Sequence, residues 1–190
     1  MIKIINMNVE DVRFPTSKDL TGSDAIHTDP DYSATYVTIT TSDNNLKGYG
    51  LAFTLGKGND IVAECIKHFF PLFNGLSIDE IEKNIGKLWY DCADHSQLRW
   101  LGPEKGVVHM ALAAIFNALW DLIAKKNQKP LWQFVVESKP ETIINWLTFK
   151  NIEDVLTKDD AFKILTKSQE FKKERIEKIL KEGYPSYTTA

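Results

Sequence analysis

The sequence predicts an α+β domain in which a three-stranded antiparallel meander is followed by a helical bundle. Three observations carry this. Residues 2–55 contain three short segments, rich in β-branched and aromatic residues, that alternate with period two. Residues 59–136 contain runs at helical spacing, some opened by recognisable caps. The longest of these, in Gly102–Trp132, carries two adjacent apolar stripes: Ala111, Ala114, Ala118 and Leu122, beside Leu112, Ile115, Leu119 and Ile123. So broad an apolar face places this helix in the middle of a bundle. Its alanine stripe should let another element approach closely.

The elements follow in order. Residues 2–9 read as a strand. Ile5, Met7 and Val9 lie on one phase and Ile2 and Ile4 on the other, which a bulge near residues 4 and 5 would reconcile. Residues 13–32 have no period and are rich in Pro, Gly, Ser, Thr and Asp, so they read as a long loop. Loops of that length in compact domains are often functional. Residues 34–41 and 47–55 read as two further strands joined by a turn at 42–45. Gly56-Lys57-Gly58 precedes Asn59, an N-cap residue by type. The longer dinucleotide and P-loop patterns are absent, so this is read as a turn and cap, not a phosphate cradle. Ser77-Ile78-Asp79-Glu80 is a capping box opening a helix to about Tyr90. Pro103 and Glu104 suit the first turn of the central helix, and Lys125 and Lys126 its last. Residues 131–136 read as a short helix and 142–149 as a strand. Residues 160–165 and 171–180 read as helices, the second highly charged with a solvated face. Gly183 ends it, and the final residues, YPSYTTA, look like the start of another strand.

Composition narrows the function classes. A net charge of −3, from 23 basic and 26 acidic residues, argues against nucleic-acid and acidic-membrane partners. No apolar run approaches the length of a membrane span. Cys65 and Cys92 fall in helical patterns without metal spacing and read as buried thiols in a reducing compartment. Glu10 and Asp11 stand where a signal peptide would be apolar, so a soluble intracellular protein of the cytosol or mitochondrion is expected. His27, in the long loop, is read as an orienter of its neighbours, and His68 and His109 as core or surface residues. Ser23, Asp24 and His27 are near in sequence, but adjacency is not triad geometry, and a hydrolase is rejected.

Ala118-Leu119-Trp120-Asp121-Leu122 with Lys125 and Lys129-Pro130-Leu131, after three short strands, resembles the N-terminal capping domain of the enolase superfamily, in its mandelate racemase and muconate lactonizing branch. The loops are similar to those of L-fuconate dehydratases in particular. These are Val12–Ser17, Gly22–Ala25, His27–Ser33, Phe53–Gly58, Gln97–Trp100, Gly102–His109, Lys172–Arg175 and Gly183–Pro185 with Tyr187-Thr188-Thr189. The resemblance implies a capping domain over residues 1–137. Residues 138–190 then form a linker, a charged helix and the first-strand stub of a (β/α) barrel, most of which lies outside these residues; such a barrel needs about 250 residues.

In that family the reaction is a Mg²⁺-dependent removal of water from a sugar acid through an enediolate. The barrel holds the base, the acid and the metal ligands, so no catalytic residue, metal ligand or bound cofactor is assigned here, and this chain alone is expected to be inactive. The resemblance places Gly22, Ser23, Asp24 and Tyr32 against the substrate, with Tyr184 added beside the first barrel strand. Hydroxyl and carboxylate groups at these positions suit a polyhydroxy acid. Expected partners are the sugar acid, and a second copy or a full-length relative. The alternative is a non-catalytic short protein that uses the capping fold as an interaction module.

Overall fold

Three strands, β1 (Ile4–Arg13), β2 (Ser33–Thr41) and β3 (Lys47–Thr54), pair antiparallel in the order β1-β2-β3. The structure is a computed structural model that describes residues 1–102, 106–150 and 152–186. The register of β1 shifts between Ile4 and Asn6, which is the bulge the split apolar phase required. β1 runs on to Arg13, four residues beyond its expected end, because β2 pairs with it as far as Ser33. In one row Val9, Val37 and Gly50 face each other, and in the next Met7, Ile39 and Gly48. These rows form the buried face of the sheet, where Ile39 and Val37 are closed to solvent.

Among the described residues seven α-helices follow: α1 (Asn59–Phe73), α2 (Ile78–Ala93), α3 (Val107–Lys126), α4 (Leu131–Glu137), α5 (Pro140–Trp146), α6 (Lys158–Lys167) and α7 (Lys172–Glu182). The α+β class is therefore as the sequence predicts. Ser77 and Glu80 form both halves of the capping box at the start of α2. α3 lies across the sheet with Ala111, Ala114 and Ala118 fully buried. The element that uses this stripe is β3. A Cβ on Gly50 would stand 2.1 Å from the Ala114 carbonyl oxygen, and one on Gly48 would stand 2.2 Å from that of Ala118. Neither glycine has a positive φ, so each is required for space and not for conformation. Asp121 accepts the Tyr49 N–H at 2.8 Å, and Lys125 pairs with Asp121 while donating to the Lys47 carbonyl, which ties α3 to the edge of β3.

α3 is long and apolar enough to cross a bilayer, although no run of that length was expected. It packs against β3, α1 and α2, as the core helix of a folded domain does. Cys65 and Cys92 are unpaired and buried, and burial pushes the Cys92 thiol up to about 12.

Three expectations are corrected. Residues 142–149 do not form a strand: Pro140–Trp146 is helical. Their backbone bonds close within the helix, the Ile143 N–H on the Lys139 carbonyl and the Leu147 N–H on the Ile144 carbonyl. Pro140 opens the helix, and its end docks on Gly86 of α2, where a Cβ would stand 2.6 Å from the Trp146 carbonyl oxygen. Trp146 packs edge-on against Trp120 and stacks on Phe134, and its Nε1 donates to the Glu82 carbonyl at 2.9 Å. Secondly, Asn59 is not a cap. Gly58, at φ +85°, occupies the cap position, and Asn59 is the first helical residue, wholly buried. Thirdly, Tyr184–Ser186 are not in a strand; Tyr187–Ala190, like Pro103 and Glu104, lie outside the described residues.

Candidate functional site

The loop between β1 and β2 folds back on itself through side chains that its own composition supplies. A 3-10 turn, Thr16–Asp19, ends at Leu20 in the left-handed region. Thr16 Oγ1 donates to the Pro30 carbonyl at 2.9 Å and accepts the Tyr32 N–H at 2.9 Å. The Asp31 carboxylate accepts the Ser17 N–H and hydroxyl, which holds its pKa below the usual carboxylate range. Both ends of the loop are thereby closed.

The predicted site residues Gly22, Ser23, Asp24 and Tyr32 all lie in this loop. Gly22, at φ +76°, faces the Tyr32 ring so closely that a Cβ would stand 2.3 Å from the phenol oxygen. Tyr32 rests edge-on against Phe53 of β3, ring centroids 5.3 Å apart, and is 37% exposed. Ser23 Oγ donates to the Thr28 carbonyl at 3.0 Å and keeps its lone pairs free to accept. Asp24 accepts the backbone N–H groups of Ile26 and His27, both at 2.7 Å, and its second oxygen lies 3.2 Å from His27 Nδ1. The His27 and Ile26 N–H groups, then the His27 ring, pull the Asp24 pKa down to about 2. His27 is therefore a neighbour that orders Asp24, and both remain largely exposed. Tyr184 follows α7 and is 81% exposed. The structure thus joins Gly22 to Tyr32 and Asp24 to His27.

Sequence reasoning missed the network beneath this loop. Asn59 Oδ1 accepts the hydroxyls of Thr35, at 2.8 Å, and Thr54, at 2.9 Å. Its Nδ2 donates to Asp11 and to the Ala34 carbonyl. Asp11 in turn pairs with Arg13, which reaches Asp60 at 3.1 Å. The Arg13 guanidinium, then the Asn59 amide, hold the Asp11 carboxyl below its ordinary range. The available signal was the polar residues Asp11, Thr35 and Thr54, in two adjacent rows on the phase of the strands that faces the helices.

The Gly56–Gly58 turn is seated on the loop. Asp31 N–H donates to the Leu55 carbonyl, and a Cβ on Gly56 would stand 2.9 Å from Asp31 Cβ. Above the sheet's outer face, Tyr49, Leu51, Phe53 and Leu55 are each 42–56% exposed. An aromatic groove between α2 and α3, lined by Trp89, Phe116, Trp120 and Trp146, contains none of the predicted site residues. His109 packs edge-on against Trp89, His95 against Phe69, and His68 is exposed. Among the described residues no group of three His, Cys, Asp or Glu side chains is placed to hold a metal ion.

With this geometry in place, comparison with known proteins is direct. The profile of the family described as "Mandelate racemase / muconate lactonizing enzyme, N-terminal domain" matches residues 18–135. Mitochondrial enolase superfamily member 1 of Bos taurus is 47% identical over 189 residues, covering 99% of this chain and 43% of its own length. L-galactonate dehydratase of Hypocrea jecorina is 42% identical over 190 residues, covering all of this chain and 42% of its own length. The crystal structure of human Mitochondrial enolase superfamily member 1 superposes with a TM-score of 0.92 at 45% identity, over 98% of this chain and 43% of that one. The chain therefore spans less than half the length of the relatives it matches.

Proposed function

This chain belongs to the mandelate racemase / muconate lactonizing enzyme N-terminal domain family, and on that premise we propose that it is the capping portion of a sugar-acid dehydratase. Its substrate is L-fuconate or L-galactonate. These two aldonates differ only at C6, which is a methyl group in the first and a hydroxymethyl group in the second. The observation that carries the reading is identity along the whole chain to a protein named L-galactonate dehydratase, combined with an ordered 14–32 loop that presents Ser23, Asp24 and Tyr32 at its surface.

In this reading residues 1–137 form the cap and 138–190 lead toward a barrel, along a path that begins inside the bundle at Trp146. Ser23 and Asp24 accept hydrogen bonds from sugar hydroxyls, and Tyr32 covers the carbon chain. Tyr184 lies at the far end of that passage. The exposed row Tyr49, Leu51, Phe53 and Leu55 then meets a second surface, which is also what the interaction-module alternative requires. The family's Mg²⁺, acid and base belong to the barrel. This chain contributes substrate contact and exclusion of water, and is inactive by itself. The names of the relatives favour the mitochondrion as its compartment.

The test is a chimera joining residues 1–190 to the barrel of the Hypocrea jecorina L-galactonate dehydratase. Mg²⁺-dependent dehydration of L-galactonate or L-fuconate is expected, with Ser23→Ala and Asp24→Asn raising KM. A folded chimera inert toward both acids, or turnover by this chain alone, would overturn the proposal.

A further inference from the structure

We infer that Asn59 is a positioning residue whose buried amide couples the 14–32 loop and the 55–58 turn. The inference rests on the reading above for its functional meaning, though not for its geometry. Asn59 is fully buried and uses all four of its hydrogen-bonding positions. Its partners come from all three strands: Asp11 of β1, Ala34 and Thr35 of β2, and Thr54 of β3. Those residues stand at the end of the sheet from which both segments depart. The long loop leaves β1 after Arg13 and returns at Ser33, and the turn leaves β3 after Thr54.

The two segments are also joined beyond the sheet. Asp31 N–H donates to the Leu55 carbonyl at 3.3 Å, and Gly56 sits against Asp31. Neither contact is strong alone. Each depends on the strand ends being held at a fixed separation, and the Asn59 amide spans those ends. A satisfied buried amide specifies one arrangement, because every displaced partner loses a bond that water cannot replace. The chain thus positions Ser23, Asp24 and Tyr32 from below, through a residue that touches none of them.

The test is amide hydrogen exchange on the full chain. Asn59→Asp keeps the shape and both acceptor bonds, but sets a carboxylate oxygen against Asp11 and the Ala34 carbonyl. Exchange at Asp31 and Tyr32 should accelerate about 10–100-fold relative to Val37 and Ile39 at the sheet centre. The double variant Asn59→Asp/Asp11→Asn restores a donor between positions 11 and 59 but leaves a carboxylate oxygen against the Ala34 carbonyl, and should slow exchange to a rate between those of the single variant and the parent. If Asn59→Asp does not fold, Thr54→Val removes the β3 branch, together with the acceptor of the Gly56 N–H, and should loosen the same amides to a smaller degree. In the chimera, Asn59→Asp should raise KM more than it lowers kcat. Uniform acceleration across sheet and loop, unchanged loop exchange, or failure of the double variant to rescue would overturn the inference. The exchange experiment needs no substrate, so an inert chimera leaves it standing, and its failure leaves the dehydratase reading intact.

Discussion

Replacing Gly50 by alanine adds one methyl group at a glycine that lies directly against the α3 backbone. In ordinary extended backbone that change should help, since alanine is less costly to order in a strand by roughly 0.5–1 kcal/mol. Here the new Cβ would stand 2.1 Å from the Ala114 carbonyl oxygen and 2.8 Å from the Ala118 nitrogen. The first contact is more than 1 Å short of the ordinary van der Waals distance of about 3.5 Å. Both opposing atoms belong to the α3 backbone, so no rotamer change relieves the overlap, and helix and strand must separate. Overpacking of this kind costs about 1–3 kcal/mol and sometimes more. Taking a clash near the upper end of that range and subtracting the entropic gain leaves Gly50→Ala about 2 kcal/mol less stable, or roughly 4–8 °C lower in Tm. Equilibrium urea unfolding with matched m-values measures it. Because the clash is with backbone, shortening α3 side chains should not relieve it: Ala114→Gly and Ala118→Gly should fail to rescue Gly50→Ala. A Gly50→Ala chain as stable as the parent, or rescue by either helix glycine, would refute the argument that β3 and α3 touch backbone to backbone.

Two further predictions follow from the corrected and the confirmed parts of the fold. Trp146→Ala should cost about 3–5 kcal/mol by urea unfolding, since it empties the space between Trp120 and Phe134, whereas Trp146→Phe should cost nearer 1 kcal/mol for the lost bond to the Glu82 carbonyl; a loss below about 1 kcal/mol for the alanine variant would mean α5 lies outside the core. The Asp24 carboxyl titrates near 2 in the folded chain against an ordinary 3.8, so its contribution is complete above the ordinary value and is lost as pH falls through about 2. The Ile26 and His27 amide resonances should therefore hold their positions at pH 3 and move together near pH 2; a midpoint near 4 would show that the turn does not order the carboxylate.

The sequence by itself determined what depends on neighbours a few residues away. The bulge at Ile4, the capping box of Ser77 and Glu80, the helix that ends at Lys126 and the self-bonded loop around Asp24 are set by local periodicity, side-chain reach and turn chemistry. The family was also legible, because the Ala118–Leu122 run with Lys125 and Lys129-Pro130-Leu131 stands after three short strands. Tertiary structure decided which side of an ambiguous segment counts. In β3 the apolar residues Tyr49, Leu51 and Phe53 face outward and Gly48, Gly50 and Ala52 face the core, the reverse of what alternation alone suggests. The reason is that α3 approaches so closely that only small residues fit beneath it, and that distance is a property of two elements 70 residues apart. Residues 142–146 carry a β-branched pattern, yet they coil into a helix that Pro140 opens and whose end is seated on Gly86. Asn59 reads as a cap when only its neighbours are considered. It becomes the amide on which three strand ends converge once Asp11, Thr35 and Thr54 are folded around it, since a buried hydrogen bond exists only where both partners have been brought to the same place.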